Sequence, residues 1–296
     1  MENNSSNKHK IKIKRFKPSE HDLYNKIIVV LGPRESGKSF LIKHLITLIR
    51  EIPMVTVISG TEEMTGHYSS FIPSICVNND YSSEIIDKFI DRQKKIIKLK
   101  KKSKDFKTVD PRALLLLDDL NYDKKTLASK NMRFIFMNGR HAKITFILAM
   151  QTVMDIPPAL RGNIDYVFMC NFNDISTHKK LFENYTSGFK NVKDFSRVLK
   201  SCTVDYNVLA IHKSSNKPSL TDYVFCYKAQ EHPNFKFGCV ELWQLNGKLY
   251  DDNYEVKIKE EEKLQQEEDH RKKLYKRKKE EDMLYSGDNL EIVMED

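Results

Sequence analysis

Eight consecutive residues, Gly32, Pro33, Arg34, Glu35, Ser36, Gly37, Lys38 and Ser39, carry the spacing G-x-x-x-x-G-K-S/T, a pattern suited to gripping a polyphosphate. Glycines let the backbone curl until successive N–H groups face phosphate oxygens, and a helix opening at Lys38 adds positive potential at the same place. Lys38 would neutralise the β and γ phosphates and Ser39 would ligate magnesium, with Phe40 completing the contact stretch. A second group ends the apolar run Ala113-Leu114-Leu115-Leu116-Leu117 with Asp118 and Asp119. Asp118 is expected on the metal side, and Asp119, one residue beyond, where a carboxylate could orient or deprotonate an attacking water. A further apolar run closes with Gln151, whose amide could sense the γ phosphate or position water. Together these residues predict a site for ATP and Mg2+; a plain glycine turn is the alternative for the loop, and a helix cap or turn acid for the aspartates.

Such side chains must be delivered by strand ends on one side of an open sheet. Residues 27–31 read as a buried parallel strand, 38–50 as an amphipathic helix and 55–58 as the next strand. Strand, helix and strand in succession require a right-handed crossover, so the fold class is α/β with a mainly parallel sheet. Further strands are expected at 113–117, 144–149 and 166–170, with helices at 127–138, 174–185 and 192–199. Later strands are read at 204–211, 223–227 and near 239–243. A helix over 82–103 turns strongly basic at Lys94, Lys95, Lys98, Lys100, Lys101, Lys102 and Lys104.

The expected organisation is a basic arm over 1–24, a catalytic domain over 25–250 and a charged, helical or disordered tail over 251–296. The arm concentrates Lys8, Lys10, Lys12, Lys14, Arg15 and Lys17, and the tail pairs Glu268 with Lys272 at helical spacing. A chain of 296 residues has room for one substantial core. Lys and Arg total 50 against 41 for Asp and Glu, a net charge of +9 that favours a polyanionic partner. The five cysteines form no C-x-x-C pair, so they are read as buried, reduced thiols rather than a zinc or redox centre. No apolar run reaches the length of a membrane span, which predicts an intracellular protein.

In order and spacing, the motifs resemble the FtsK–HerA superfamily of DNA-pumping ATPases, and within it the genome-packaging ATPase of large eukaryotic DNA viruses, the poxvirus type. The resemblance runs from about Ile27 to Tyr185. It rests on residues 32–39, Asp118-Asp119, Asn138-Gly139-Arg140-His141, Gln151, Asp155-Ile156-Pro157-Pro158 and the segment from Arg161 to Tyr166. It implies a P-loop NTPase three-layer fold of the additional-strand type, in which the strand ending at Gln151 lies between the P-loop strand and the Asp118 strand. It also implies ATP-driven movement of double-stranded DNA into a capsid by a homo-oligomeric ring, with capsid or portal partners, in the host cytoplasm at the site of virus assembly. An arginine from one subunit would reach the neighbour's nucleotide, and Arg140 and Arg161 are the candidates. Asp119 stands where many relatives carry Glu. Two other functions compete: a P-loop kinase, for which no acceptor pocket or Arg-rich lid is visible, and a nucleotide-gated assembly or DNA-binding factor with little turnover.

Overall fold

The computed structural model describes residues 11–120, 124–153, 156–186, 188–215, 219–232, 234–250 and 254–285. Lys8 and Lys10 of the arm, and Asp155, lie outside them. In chain order the elements are β1 (Lys14–Arg15), β2 (Ile27–Leu31), α1 (Lys38–Leu48), β3 (Met54–Ser59), α2 (Glu62–Thr65), β4 (Val77–Asn78), α3 (Ser83–Lys102) and β5 (Ala113–Asp118). There follow α4 (Lys124–Leu127), α5 (Lys130–Asn138), β6 (Ile144–Met150), α6 (Pro158–Arg161), β7 (Tyr166–Met169), α7 (Ile175–Tyr185) and α8 (Val192–Cys202). The remainder are β8 (Asn207–His212), β9 (Val224–Lys228), α9 (Val240–Tyr250) and α10 (Tyr254–Tyr285).

Nine strands form one sheet in the order β1-β9-β8-β7-β2-β6-β5-β3-β4. All neighbours pair in parallel except β8, which runs antiparallel to both β7 and β9. The strand ending beside Gln151, β6, therefore lies between the P-loop strand β2 and the Asp118 strand β5, as the resemblance implies. This is the three-layer P-loop NTPase arrangement of the additional-strand type.

Every residue of β2, β5 and β6 is buried, because helices cover both faces. Alternate residues supply two cores. Ile27, Val29 and Leu31 belong with Ile86 and Phe89 of α3 and Met132 and Ile135 of α5. Ile28 and Val30 belong with Leu41, Ile42, Leu45 and Ile46 of α1. Gln93, fully buried on α3, donates to the carbonyls of Pro111 at 2.8 Å and Ala142 at 2.9 Å, fixing that helix to the edge where β5 and β6 begin.

Several expectations are corrected. The segment near 239–243 is helical: Val240 opens one helix that runs to Tyr250, tolerating Gly247 within it. The strand expected over 204–211 begins at Asn207; Val204–Tyr206 forms a 3-10 turn in which Asp205 and Tyr206 have φ of 53° and 57°. The helix expected over 127–138 is two, because Ser129 caps a new start by accepting from the Met132 N–H. Cys76, Cys170 and Cys202 are buried, but Cys226 and Cys239 only partly so; all five are free.

By compactness the chain divides into residues 1–242 and 243–296. In the second unit, residues 262–280 of α10 are exposed throughout, and Lys272 pairs with Glu268 at 2.9 Å. Among the described residues no helix is long and apolar enough to cross a membrane.

Candidate functional site

The chain leaves β2 at Leu31 and turns into α1 through residues 32–37, with Glu35 at φ 60° and Gly37, the cap of α1, at φ 84°. Such a turn directs consecutive N–H groups to one side. Gly32 is required by close approach: a Cβ there would stand 2.4 Å from Ser36 Oγ and 2.8 Å from Cys170 Cβ. Ser36 Oγ and Lys38 Nζ both donate to the Pro33 carbonyl, at 2.8 and 2.7 Å, so they tie the loop across itself. Lys38 is only 9% exposed, an unusual setting for an ammonium that sits on a helix N-terminus. Phe40, two residues further, is exposed.

Across the strand tips lies Asp118, 4% exposed, its Oδ2 accepting from the Tyr68 hydroxyl at 2.5 Å. Burial pushes its pKa above the usual carboxylate value and neighbouring Asp119 adds to this, while the Tyr68 hydrogen bond, Lys38 and His67 oppose it. Tyr68 is delivered by a turn built on Glu62, a buried carboxylate accepting from the Tyr68 N–H at 2.9 Å, the Ser69 N–H at 2.8 Å and the Ser69 hydroxyl at 2.7 Å. His67 lies in the same turn, hydrogen-bonds the Ser39 backbone and has its pKa lowered, chiefly by burial. Its Nε2 is buried with no hydrogen-bond partner.

Asp119, at φ 48°, accepts through Oδ1 from the Gln151 amide, so the ends of β5 and β6 are joined by the two residues expected to handle water. Gly60 allows this corner, since a Cβ there would lie 2.9 Å from the Asp119 carbonyl oxygen. The structure thus gathers residues 32–39, Asp118, Asp119 and Gln151 at one edge of the sheet. The two arginines are elsewhere. Arg140 Nη2 donates to Asp165 Oδ1 at 2.7 Å, and Asp165 Oδ2 accepts from the N–H of Ile27, the first residue of β2. A five-residue strand spans about 16 Å, so Arg140 is on the opposite edge from its own phosphate loop. Arg161 is tied to the Ile156 carbonyl at 2.8 Å and to Asn184 Oδ1.

The residues present fit a magnesium nucleotide. A serine hydroxyl and a buried carboxylate are hard oxygen donors, and Mg2+ takes only one or two protein ligands, completing its shell with phosphate and water oxygens. Consistent with that, no three His, Cys, Asp or Glu side chains cluster as a self-sufficient metal site among the described residues. Sequence reasoning missed Tyr68, His67, Cys170 and the role of Asp165. Tyr68 is 50 residues from Asp118, and nothing local marks it. Asp165 carried a signal in standing next to a buried strand, where an unpaired acid is costly.

The family described as Poxvirus A32 protein matches residues 14–233. Protein 075L of Invertebrate iridescent virus 6 is 36% identical over 231 residues, covering 77% of this chain and 87% of that protein. A protein of Acanthamoeba polyphaga mimivirus is 32% identical over 246 residues, covering 81% of this chain and 86% of its own. Among solved structures, the genome packaging NTPase of Sulfolobus turreted icosahedral virus 2 in complex with ATP-gammaS aligns with a TM-score of 0.49 at 18% identity, covering 73% of this chain and 100% of that one. With the family match spanning most of the chain and the motif order agreeing, the chain belongs to the Poxvirus A32 protein family.

Proposed function

We propose that this protein is an ATP-driven translocase of double-stranded DNA that packages a viral genome, hydrolysing ATP with Mg2+ in an oligomeric ring. The observation that carries this reading is the placement of Lys38, Asp118 and the Asp119–Gln151 pair together at the tips of β2, β5 and β6. Lys38 and the N–H groups of the loop would hold the triphosphate, and Ser39 with Asp118 would hold the metal. When bound, Mg2+ supplies charge neutralisation on the phosphate oxygens. Asp119 is suited to accept a proton from water, with the Gln151 amide fixing the direction of its carboxylate.

Membership of a viral family supports action in the infected host cell and a capsid or portal partner for the loaded genome. A ring is supported by Arg140, 61% exposed at the edge of the sheet opposite its own phosphate loop. There it is remote from its own nucleotide site and, although paired with Asp165, remains largely exposed to a neighbour, whereas Arg161 is half-buried and tied to Ile156 and Asn184. Arg140 is therefore assigned as the residue acting in trans. DNA is supported by the exposed Lys94, Lys95, Lys98, Lys101, Lys102 and Lys104 on and just past α3. Translocation is tested by following release of a third strand annealed to duplex DNA. Release should require ATP and Mg2+; strand release that proceeds equally without ATP would refute the motor.

A further inference from the structure

On the side of the phosphate loop facing β7 and β8, away from Asp118, opens a cleft of about 360 Å3. Its walls are loop residues 33–36, Asn171 and Asn173 beyond β7, Thr203, Asp205 and Tyr206 ahead of β8, and Asn207, its first residue. The size is within the range of small-molecule sites. Three features of this cleft have no part in the hydrolytic machinery described above.

Tyr206 is 72% exposed, yet its ring stands against the phosphate loop: a Cβ on Gly37 would lie 3.1 Å from Tyr206 Cδ1. A large aromatic face is thus left open to solvent directly beside the residue that caps α1. The backbone holding it is strained, because Asp205 and Tyr206 are consecutive non-glycine residues in the left-handed region. That turn is braced on both sides. Thr203 Oγ1 donates to the Leu199 carbonyl at 2.8 Å and lies 3.3 Å from Asn171 Oδ1, and Asn207 Nδ2 donates to the Val204 carbonyl at 2.5 Å. Finally, the far wall is made of amides, with Asn171 Nδ2 and Asn173 Oδ1 separated by 3.5 Å. Carboxamides offer a donor and an acceptor side by side, which matches the edge of an adenine.

We propose that this cleft is the base subsite of the nucleotide site, with the adenine stacked on Tyr206 and its polar edge read by Asn171 and Asn173. The assignment rests on the phosphate-loop reading and extends it to the part of the ligand that motif residues do not touch. A triphosphate held at Lys38 has its terminal phosphate directed to Asp118 and Gln151, so its nucleoside end points to the β7 side, where the cleft lies. Stacking requires only a face, so Tyr206 sets affinity for any base, while the asparagines set the preference for adenine.

Calorimetric titration of the full chain with ATP, GTP and inorganic tripolyphosphate tests this. Tyr206→Asn keeps a residue suited to left-handed backbone and removes the ring; it should weaken ATP about tenfold and leave tripolyphosphate unchanged. Tyr206→Phe should bind ATP within about twofold of the parent protein, since the ring face is retained. Asn171→Ala should narrow the gap between ATP and GTP. An equal loss of ATP and tripolyphosphate affinity in Tyr206→Asn would overturn the proposal by showing that the turn only shapes the loop, and so would unchanged ATP affinity. The parent reading fails separately, and this one with it, if tripolyphosphate affinity is the same in Lys38→Ala as in the parent protein.

Discussion

Asp118 is subject to opposed influences, and their balance sets the pH at which it would hold the proposed Mg2+. Burial raises its pKa, while the hydroxyl of Tyr68 stabilises the ionised form. Removing that hydroxyl leaves the burial and takes away the compensation, so the pKa rises further. Tyr68→Phe should therefore move the acidic limb of the Mg2+-dependent turnover profile to higher pH, by roughly 0.5–1 unit for a hydrogen bond worth about 1 kcal/mol. A pH–rate profile checks it, and an unmoved acidic limb would show that Asp118 ionisation does not control turnover. Residues 32–39, Asp118, Asp119 and Gln151 were legible in the sequence because each stands at the end of an apolar run. Tyr68, Glu62 and Asp165 were not, because their partners are supplied by other segments of the chain and leave no local pattern.

At the level of elements, β2 is clamped at both ends. Its C-terminal end feeds the phosphate loop, and its N-terminal end is fixed by Asp165, which also meets Arg140 and Lys26, the latter at 3.7 Å. Asp165→Ala would leave the Ile27 N–H unpaired in the interior and should cost about 1–3 kcal/mol of stability, measurable by chemical denaturation. A second element-level test concerns the packing of α1 against β9. His44 contacts the Tyr227 hydroxyl and lies 2.8 Å from His232 Nε2 through its Nδ1; burial and the His232 charge lower its pKa to about 4. The unfolded chain takes up this proton near pH 6.5, before the folded one does. Stability from this group is thus complete above about pH 6.5 and lost as pH falls towards 4. His44→Gln should flatten that part of the stability–pH curve; an unchanged slope would exclude His44 as its source. The central strands could be read directly, because burial on both faces makes continuous apolar runs. Around Cys239-Val240-Glu241-Leu242-Trp243 the same reasoning failed, since five residues of mixed type do not separate strand from helix. Val204-Asp205-Tyr206 failed for a different reason: the β-favouring Val204 and Tyr206 outweighed the turn-favouring Asp205 in the reading, whereas the chain turns there.

For the whole molecule, the proposed assignment of Arg140 to the neighbour's site would make catalysis a property of two copies. Lys38→Ala and Arg140→Ala proteins should each be inactive alone, yet mixing them should restore part of the turnover, because some subunit boundaries then pair an intact loop with an intact arginine. No recovery on mixing, with both variants assembled, would place the arginine outside the neighbour's site. The exposed lysines of α3 predict DNA binding that weakens steeply with salt. The most direct measurement of the central claim is phosphate release by the purified full chain with Mg2+ and ATP, in the presence and absence of duplex DNA, beside Lys38→Ala. The account predicts turnover that duplex DNA stimulates and that Lys38→Ala lowers on the order of 100-fold or more. Turnover indifferent to both the DNA and the substitution would contradict it.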